Sequence, residues 1–353
     1  MPEHIVLESL DIRNSRPPYK FTGADGKERA YIRNAAAIRV EKADRLTIRN
    51  CVLHDCGNGL FVSSNDKEVS RDILLEGNYI YDNGNPGSGS EHNVYTEARG
   101  ITFQFNRFGP LRPGCAGTNL KDRSAGLVVR HNWIEGGNKQ LDLVDAEDSG
   151  LIRKDPEYRR TFVYGNVLIS LNQAGQPFIV HYGGDSAKSS NFRKGTLYFY
   201  HNTVVSLRRS PTILFRISSD DESCDCRNNI FHVPADPKAR LVIIDNRGIV
   251  NLSHNWIQQG WQASTTWRAT GRVHEDGTSA TGELPGFVDL NQQDFHLTPA
   301  SPCRGRGTAL DTEPFGTHPV ELQYVKHQSG QFRPRDGARD IGAFSVGSHS
   351  GRE

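Results

Sequence analysis

Hydrophobic and polar positions in this chain alternate in short period-2 runs broken by Gly, Asn and Asp, and no stretch carries a helical period. One phrase, an apolar strand ending in Asn followed by a second apolar strand, recurs at Ile48–Val52, Glu76–Ile80, Gln104–Phe108, Arg130–Ile134, Tyr164–Leu168, Tyr200–Val204, Arg227–Ile230 and Ser253–Ile257. Its spacing of roughly 26 to 36 residues lies in the range of stacked structural repeats. Each unit has strands where a helical solenoid would have helix pairs, which predicts an all-β, right-handed parallel β-helix. The recurring Asn tolerates the left-handed backbone of a tight bend. Its amide can also bond to the Asn above and below, so an internal Asn ladder through positions 78, 106, 132, 166 and 202 is expected.

In a solenoid each coil touches only its neighbours, so 353 residues with 36% hydrophobic content need no division into globular domains. The pattern predicts coils over 1–257, terminal coils and a capping segment over 258–346, and a disordered tail over 347–353. Within the cap, Arg339–Phe344 is expected to cover the last coil. Lys+Arg 42 against Asp+Glu 41 leaves a net charge of +1, which argues against nucleic-acid and membrane-surface partners. The chain opens almost directly in a strand, Ile5–Leu10, without a signal pattern. A leader and early coils are therefore expected ahead of this sequence, in a secreted or periplasmic protein. The six cysteines do not form a disulfide framework; buried thiols, or one Cys51–Cys56 bridge, are expected.

Long excursions at Pro17–Lys27, Asn83–Ser90, Pro110–Ala116, Asp148–Arg159 and Asp185–Arg193 are candidate walls of a site. One strand per coil aligns as Leu60-Phe61-Val62, Asn93-Val94-Tyr95, Asn119-Leu120-Lys121, Asp142-Leu143-Val144, Ile179-Val180-His181, Leu214-Phe215-Arg216 and Ile243-Ile244-Asp245. The middle residue is apolar throughout and is assigned inward, which turns the flanking residues outward in columns with about 4.8 Å between coils. One column then holds Asn93, Asn119 and Asp142, and the next Tyr95, Lys121, Val144, His181, Arg216 and Asp245, with Arg123 and Glu97 two residues further on.

Polar groups gather in the middle coils, and their chemistry suits eliminative cleavage of a uronic-acid polysaccharide or oligosaccharide. That reaction needs a base for the proton α to the carboxylate, a group that neutralises the carboxylate, and an acid for the leaving oxygen. Lys121, crowded by Arg123, is the candidate base, with Tyr95 or His181 as acid. His92, Asn93, Asn119, Asp142 and Arg216 are candidate substrate contacts. Asn93, Asn119 and Asp142 are also candidate oxygen ligands for Ca²⁺, although three are too few by themselves.

The stretch Asn119–Ile134, with Lys121 ahead of a strand ending Arg130-His131-Asn132, resembles the alginate lyase and chondroitinase B group of β-helical polysaccharide lyases. Phrases such as His92-Asn93-Val94-Tyr95, His181-Tyr182-Gly183-Gly184 and Asp340–Phe344 are similar to those of bacterial β-helix proteins of the pectate-lyase-like superfamily. The resemblance implies Lys121 as general base. Two other readings stay open. A glycoside hydrolase would pair Asp142 with Glu97, Asp145 or Glu147, and a non-catalytic carbohydrate-binding solenoid would use aromatic platforms.

Overall fold

The computed structural model describes residues 2–173, 175–234, 236, 238–310, 312–334 and 339–346, so the expected tail from Gly347 lies outside the described residues. The chain winds as a parallel β-helix with two ten-stranded sheets and one nine-stranded sheet. One coil runs through Arg99–Gln104 in the first sheet, Arg107–Phe108 in the second and Leu120–Asp122 in the third. Ala125–Arg130 then returns beneath Arg99–Gln104 in exact parallel register, Ile101 against Leu127 and Phe103 against Val129. Alternate residues of these strands fill one continuous core, including Leu75, Phe103, Leu127, Val163, Phe199 and Leu252. The parallel coils extend to Ala280–Gly282. Two antiparallel hairpins follow, Phe287–Asp289 with Asp294–Leu297 and Leu322–Val325 with Ser329–Phe332. The Pro17–Lys27 excursion leads into a hairpin of its own, Lys20–Thr22 against Glu28–Ala30.

The Asn ladder is present and longer than expected. Asn78 Nδ2 donates to Asn106 Oδ1 at 2.9 Å, and the bonds continue Asn106 to Asn132, Asn132 to Asn166, Asn166 to Asn202, Asn202 to Asn229 and Asn229 to Asn255 at 3.0–3.1 Å. All seven are buried. The left-handed bend falls on the residue before each: Gly77, Phe105, His131, Gly165, His201, Asn228 and His254. In the phrase at Ile48–Val52, Asn50 takes that bend, at φ 53°, and Cys51 occupies the ladder position, its amide bonded to Asn78 Oδ1. The six cysteines are free thiols, without a Cys51–Cys56 bridge.

The Arg339–Phe344 segment lies along the flank of the solenoid, a correction to the expected end cap. Ile341 packs with Ile230 and Trp256, and Ala343 and Phe344 cluster with Trp133, Val167 and Val205. Hydrogen bonds from Gly342 N to Asn228 O and from Ala343 N to Thr203 Oγ1 fix it there. Outward apolar residues of the second sheet, Trp133, Val167, Val205 and Trp256 among them, form the surface this segment covers.

Replacing Asn132 by Ala removes the acceptor for Asn106 N and Asn106 Nδ2. It also removes the donor to Phe103 O and Asn166 Oδ1. Unsatisfied buried groups cost about 1–3 kcal/mol each, so denaturant unfolding of Asn132→Ala is expected to show a loss of at least about 2 kcal/mol; a loss below about 0.5 kcal/mol would contradict a register-setting ladder.

Candidate functional site

The third sheet carries the site, and its pairing fixes which side chains share a face. Arg39 pairs with Phe61, Phe61 with Tyr95, Tyr95 with Lys121, Lys121 with Asp142, Asp142 with His181 and His181 with Arg216. One outward column therefore contains Tyr95, Lys121, Asp142, His181 and Arg216. The expected columns need three corrections. Asp142 belongs to the same column as Lys121, because the strand is Leu141–Leu143 with both leucines inward, and Val144 lies beyond it, buried. Phe61, rather than Leu60 and Val62, points outward and stacks on Tyr95 at 4.8 Å.

The third correction removes Asn93 and Asn119 from the substrate surface and splits the suggested Ca²⁺ trio. Both are fully buried in a second internal ladder, where Asn83 Nδ2 donates to Asn93 Oδ1 and Asn93 Nδ2 to Asn119 Oδ1. Asn119 Nδ2 in turn donates to the carbonyls of Glu135 and Gly136. These residues sit where the backbone turns into the strand, and the same corner is occupied by apolar Ile179, Leu214 and Ile243 in later coils. Alternation along a strand does not extend through its corner, so a period-2 reading turned them the wrong way. Among the described residues no group of three or more His, Cys, Asp or Glu is arranged to hold a metal ion.

A continuous run of polar contacts joins the column to a loop. Arg123 Nε donates to Tyr95 OH at 2.8 Å, and Arg123 NH2 lies 2.9 Å from Asp185 Oδ1. The other oxygen of Asp185 contacts Lys121 Nζ, which is 3.2 Å from Asp142 Oδ2. Asp142 Oδ1 accepts from Lys139 Nζ at 2.8 Å and from His181 Nδ1 at 2.7 Å, and His181 Nε2 faces Ser218 Oγ at 3.1 Å. Beyond His181 lies a pocket of about 340 Å³ lined by Asp185, Arg216, Ser218, Asp245 and Arg247. Arg216 is half-buried, its guanidinium 5.3 Å above the Phe178 ring, and it pairs with no carboxylate among the described residues.

Burial works against the charge on Asp142, but the hydrogen bond from His181 and the charges of Lys121 and Lys139 hold its carboxyl well below the usual range. Burial also pushes the His181 imidazole down, with Asp142 opposing in part. An ionised carboxylate can only accept, so Nδ1 carries the proton and Nε2 the lone pair. Burial raises the Tyr95 phenol to about 12, which keeps it protonated at neutral pH. His92 is buried against Tyr95 with its ring centroid 6.0 Å away. Its Nδ1 accepts from Thr118 N, and burial, then the Lys121 charge, lower it to about 3. It is a neutral wall of the site.

The crowding of Lys121 by Arg123 is offset by carboxylates, since Arg123 also meets Glu147 at 3.1 Å. The remaining carboxylates serve the frame. Asp145 is fully buried and accepts from the backbone of Asp185 and Ser186. Glu97 is buried too and accepts from the amides of Asp148 and Ser149. Its burial, and then the nearby Asp148 charge, raise it to about 8.

Phe61, Lys139, Asp185 and Ser218 were missed in the sequence. Asp185 opens an excursion marked there as a wall, and Lys139 stands three residues before Asp142; neither signal specifies a contact. Residues 24–155, which include Tyr95, Lys121, Arg123 and Asp142, match the family described as right handed beta helix region. No curated protein and no solved structure matches the chain.

Glu97 gives a signed pH test. Its folded pKa of about 8 lies above the ordinary carboxylate value of 4.5, so the favourable neutral form is fully present below about 4.5 and lost as pH rises through about 8. Glu97→Gln keeps an acceptor oxygen for both amides and cannot ionise. Its melting temperature is expected to exceed that of the wild type by a margin that widens from pH 4.5 to 8; a constant margin would contradict the assignment.

Proposed function

We propose that this chain is a carbohydrate-active enzyme of the pectate-lyase-like kind, which cleaves a uronic-acid polysaccharide by β-elimination. The observation that carries the reading is the unbroken chain of contacts from Tyr95 through Arg123, Asp185, Lys121 and Asp142 to His181, with two cations between a phenol and a carboxylate-backed imidazole. A uronate carboxylate meeting Lys121 and Arg123 loses its charge repulsion toward a developing carbanion, which acidifies the proton on the adjacent carbon. His181 Nε2 takes that proton, and the Ser218 hydroxyl has Gly184 O, 2.7 Å away, as an alternative acceptor when Nε2 is needed. The carbon–oxygen bond of the linkage breaks, a carbon–carbon double bond forms, and His181 Nε2 hands the proton on to the departing oxygen on the adjacent carbon, while Tyr95 accepts from Arg123 and holds it in place. Asp142 orients both His181 and Lys121.

This reading moves the base from Lys121, as the sequence suggested, to His181. Lys121 lies between two carboxylates, an arrangement for an ammonium that carries charge. A uronate polysaccharide substrate goes with a secreted or periplasmic chain. The two-carboxylate alternative is weaker because Glu97 and Asp145 bind backbone amides and Asp142 is enclosed by Lys121, Lys139 and His181. The aromatic-platform alternative is weaker because the faces of Phe61 and Tyr95 meet each other, with Arg39 on the outer side of Phe61 at 4.7 Å.

Assays of uronate polysaccharides should yield an ultraviolet-absorbing unsaturated product. His181→Ala is expected to lower kcat roughly 10²–10⁴-fold with little change in KM. The acid limb of the pH profile should fall below 6.5, the ordinary histidine value. Lys121→Arg distinguishes the bases: retained turnover fits a charge carrier, whereas complete loss, with His181→Ala active, returns the base to Lys121 because a guanidinium does not deprotonate. New reducing ends without unsaturation would replace elimination by hydrolysis.

A further inference from the structure

Asp185 differs from the buried carboxylates of the site, and unlike the more exposed Glu147, which meets Arg123 alone, it touches both Lys121 and Arg123. Asp142 and Asp145 have side chains 3% and 0% exposed and belong to the sheet and the backbone leaving it, whereas Asp185 is 27% exposed and borne on an excursion. Its two oxygens are divided between Lys121 Nζ and Arg123 NH2, so one carboxylate bridges a cation in the strand Leu120–Asp122 and another just past its end. A planar carboxylate with an oxygen on each cation is also what a sugar acid would present there. With Asp185 absent, Lys121 would keep Asp142, which Lys139 shares, and Arg123 would keep Glu147 and Asp145, so the position facing both cations at once would be open to another carboxylate.

The excursion is built to present this side chain. Gly183, at φ +123°, and Gly184 turn the chain away from His181 and Tyr182; a Cβ on Gly184 would collide with the Phe192 ring. At the far end Arg193 is fully buried, bonded to the carbonyls of Val144 and Ser124, and its amide donates to Gly183 O. The two ends are thus tied together. The backbone of Asp185 is held separately, through its amide to Asp145 Oδ1 at 2.8 Å. The carboxylate can therefore rotate toward the pocket beyond His181 without the backbone leaving Asp145.

We propose that the Asp185 carboxylate is an internal stand-in for the substrate: it occupies the subsite of a sugar carboxylate on Lys121 and Arg123 and is displaced when a uronate binds. The inference rests on the elimination reading for the identity of the substrate and adds the place where its charge is read. It also gives the site a selectivity. A neutral sugar offers nothing to replace Asp185 and leaves it in place, whereas a uronate exchanges one carboxylate for another. Competition by Asp185 weakens uronate binding in the wild type and spares neutral sugars.

The test is equilibrium binding by calorimetry of oligogalacturonate, oligoguluronate and oligoglucuronate, each of three or four residues, beside a neutral maltotriose control. It uses wild type, Asp185→Asn and Asp185→Ala at low salt, with melting curves to confirm folding. The isosteric Asp185→Asn keeps the loop backbone and its bond to Asp145, so it remains informative if Asp185→Ala unfolds. At least one oligouronate is expected to bind both variants tenfold or more tighter than wild type, with the gain shrinking at high salt and no gain for maltotriose. Unchanged or weaker oligouronate binding by Asp185→Asn would overturn the proposal, as would the absence of uronate binding in all three proteins. The two readings fail separately. Tighter binding without unsaturated product defeats elimination and leaves the subsite, whereas unsaturated product with no gain in affinity defeats the subsite and leaves elimination.

Discussion

The amide-to-amide hydrogen bond between asparagines of successive coils is the constraint on which the rest depends. A parallel strand can slip by a residue and keep much of its backbone bonding, but a slip reverses every side chain. Each ladder Asn binds the next through both a backbone amide and a side-chain amide, as Asn106 does with Asn132. A slipped coil would leave several buried polar groups without partners. Register in the first and second sheets is fixed at this turn and carried round each coil to the third, so Tyr95, Lys121, Asp142, His181 and Arg216 fall in line.

That alignment concentrates charge, and the site resolves the cost by pairing. Lys121, Arg123, Asp142 and His181 are all buried, and buried charges are tolerated only when geometry and hydrogen bonds compensate their lost solvation. Here Lys121, Arg123 and Lys139 each meet a carboxylate, each carboxylate meets a cation or backbone amides, and the half-buried Arg216 lies over the Phe178 ring. The compensation comes from three sources: neighbouring coils, the backbone leaving the strand at Asp145, and the excursion that carries Asp185. Asp185 is more exposed than Asp142 and Asp145 and spans both cations, whereas the still more exposed Glu147 meets Arg123 alone. The same pairing that makes the buried cations tolerable is the one a sugar carboxylate would have to replace under the proposed function.

The fold was legible because a solenoid writes its register in the sequence: the phrase around Asn78, Asn106, Asn132, Asn166 and Asn202 repeats once per coil, and the ladder repeats with it. The site was legible in part. Lys121, Tyr95, His181 and Arg216 were aligned correctly because each follows an inward apolar residue, Leu120, Val94, Val180 and Phe215. Asp142 was misplaced because leucines flank it on both sides, which allowed either register. Asn93 and Asn119 look like surface ligands by alternation, but a corner residue obeys the turn rather than the strand. Asp185 could not be placed, since a loop's reach depends on how its ends are tied, here by Arg193 and the Gly183–Gly184 turn.

The central claim is that one outward column reads and transforms an acidic sugar. It is tested most directly by a crystal structure of His181→Ala with an oligouronate bound. The account requires a uronate carboxylate within hydrogen-bonding distance of Lys121 Nζ and the Arg123 guanidinium, with the Asp185 side chain turned away and the scissile linkage beside position 181. An oligouronate bound elsewhere on the solenoid, or one lying in the groove with Asp185 still bridging Lys121 and Arg123, would contradict it.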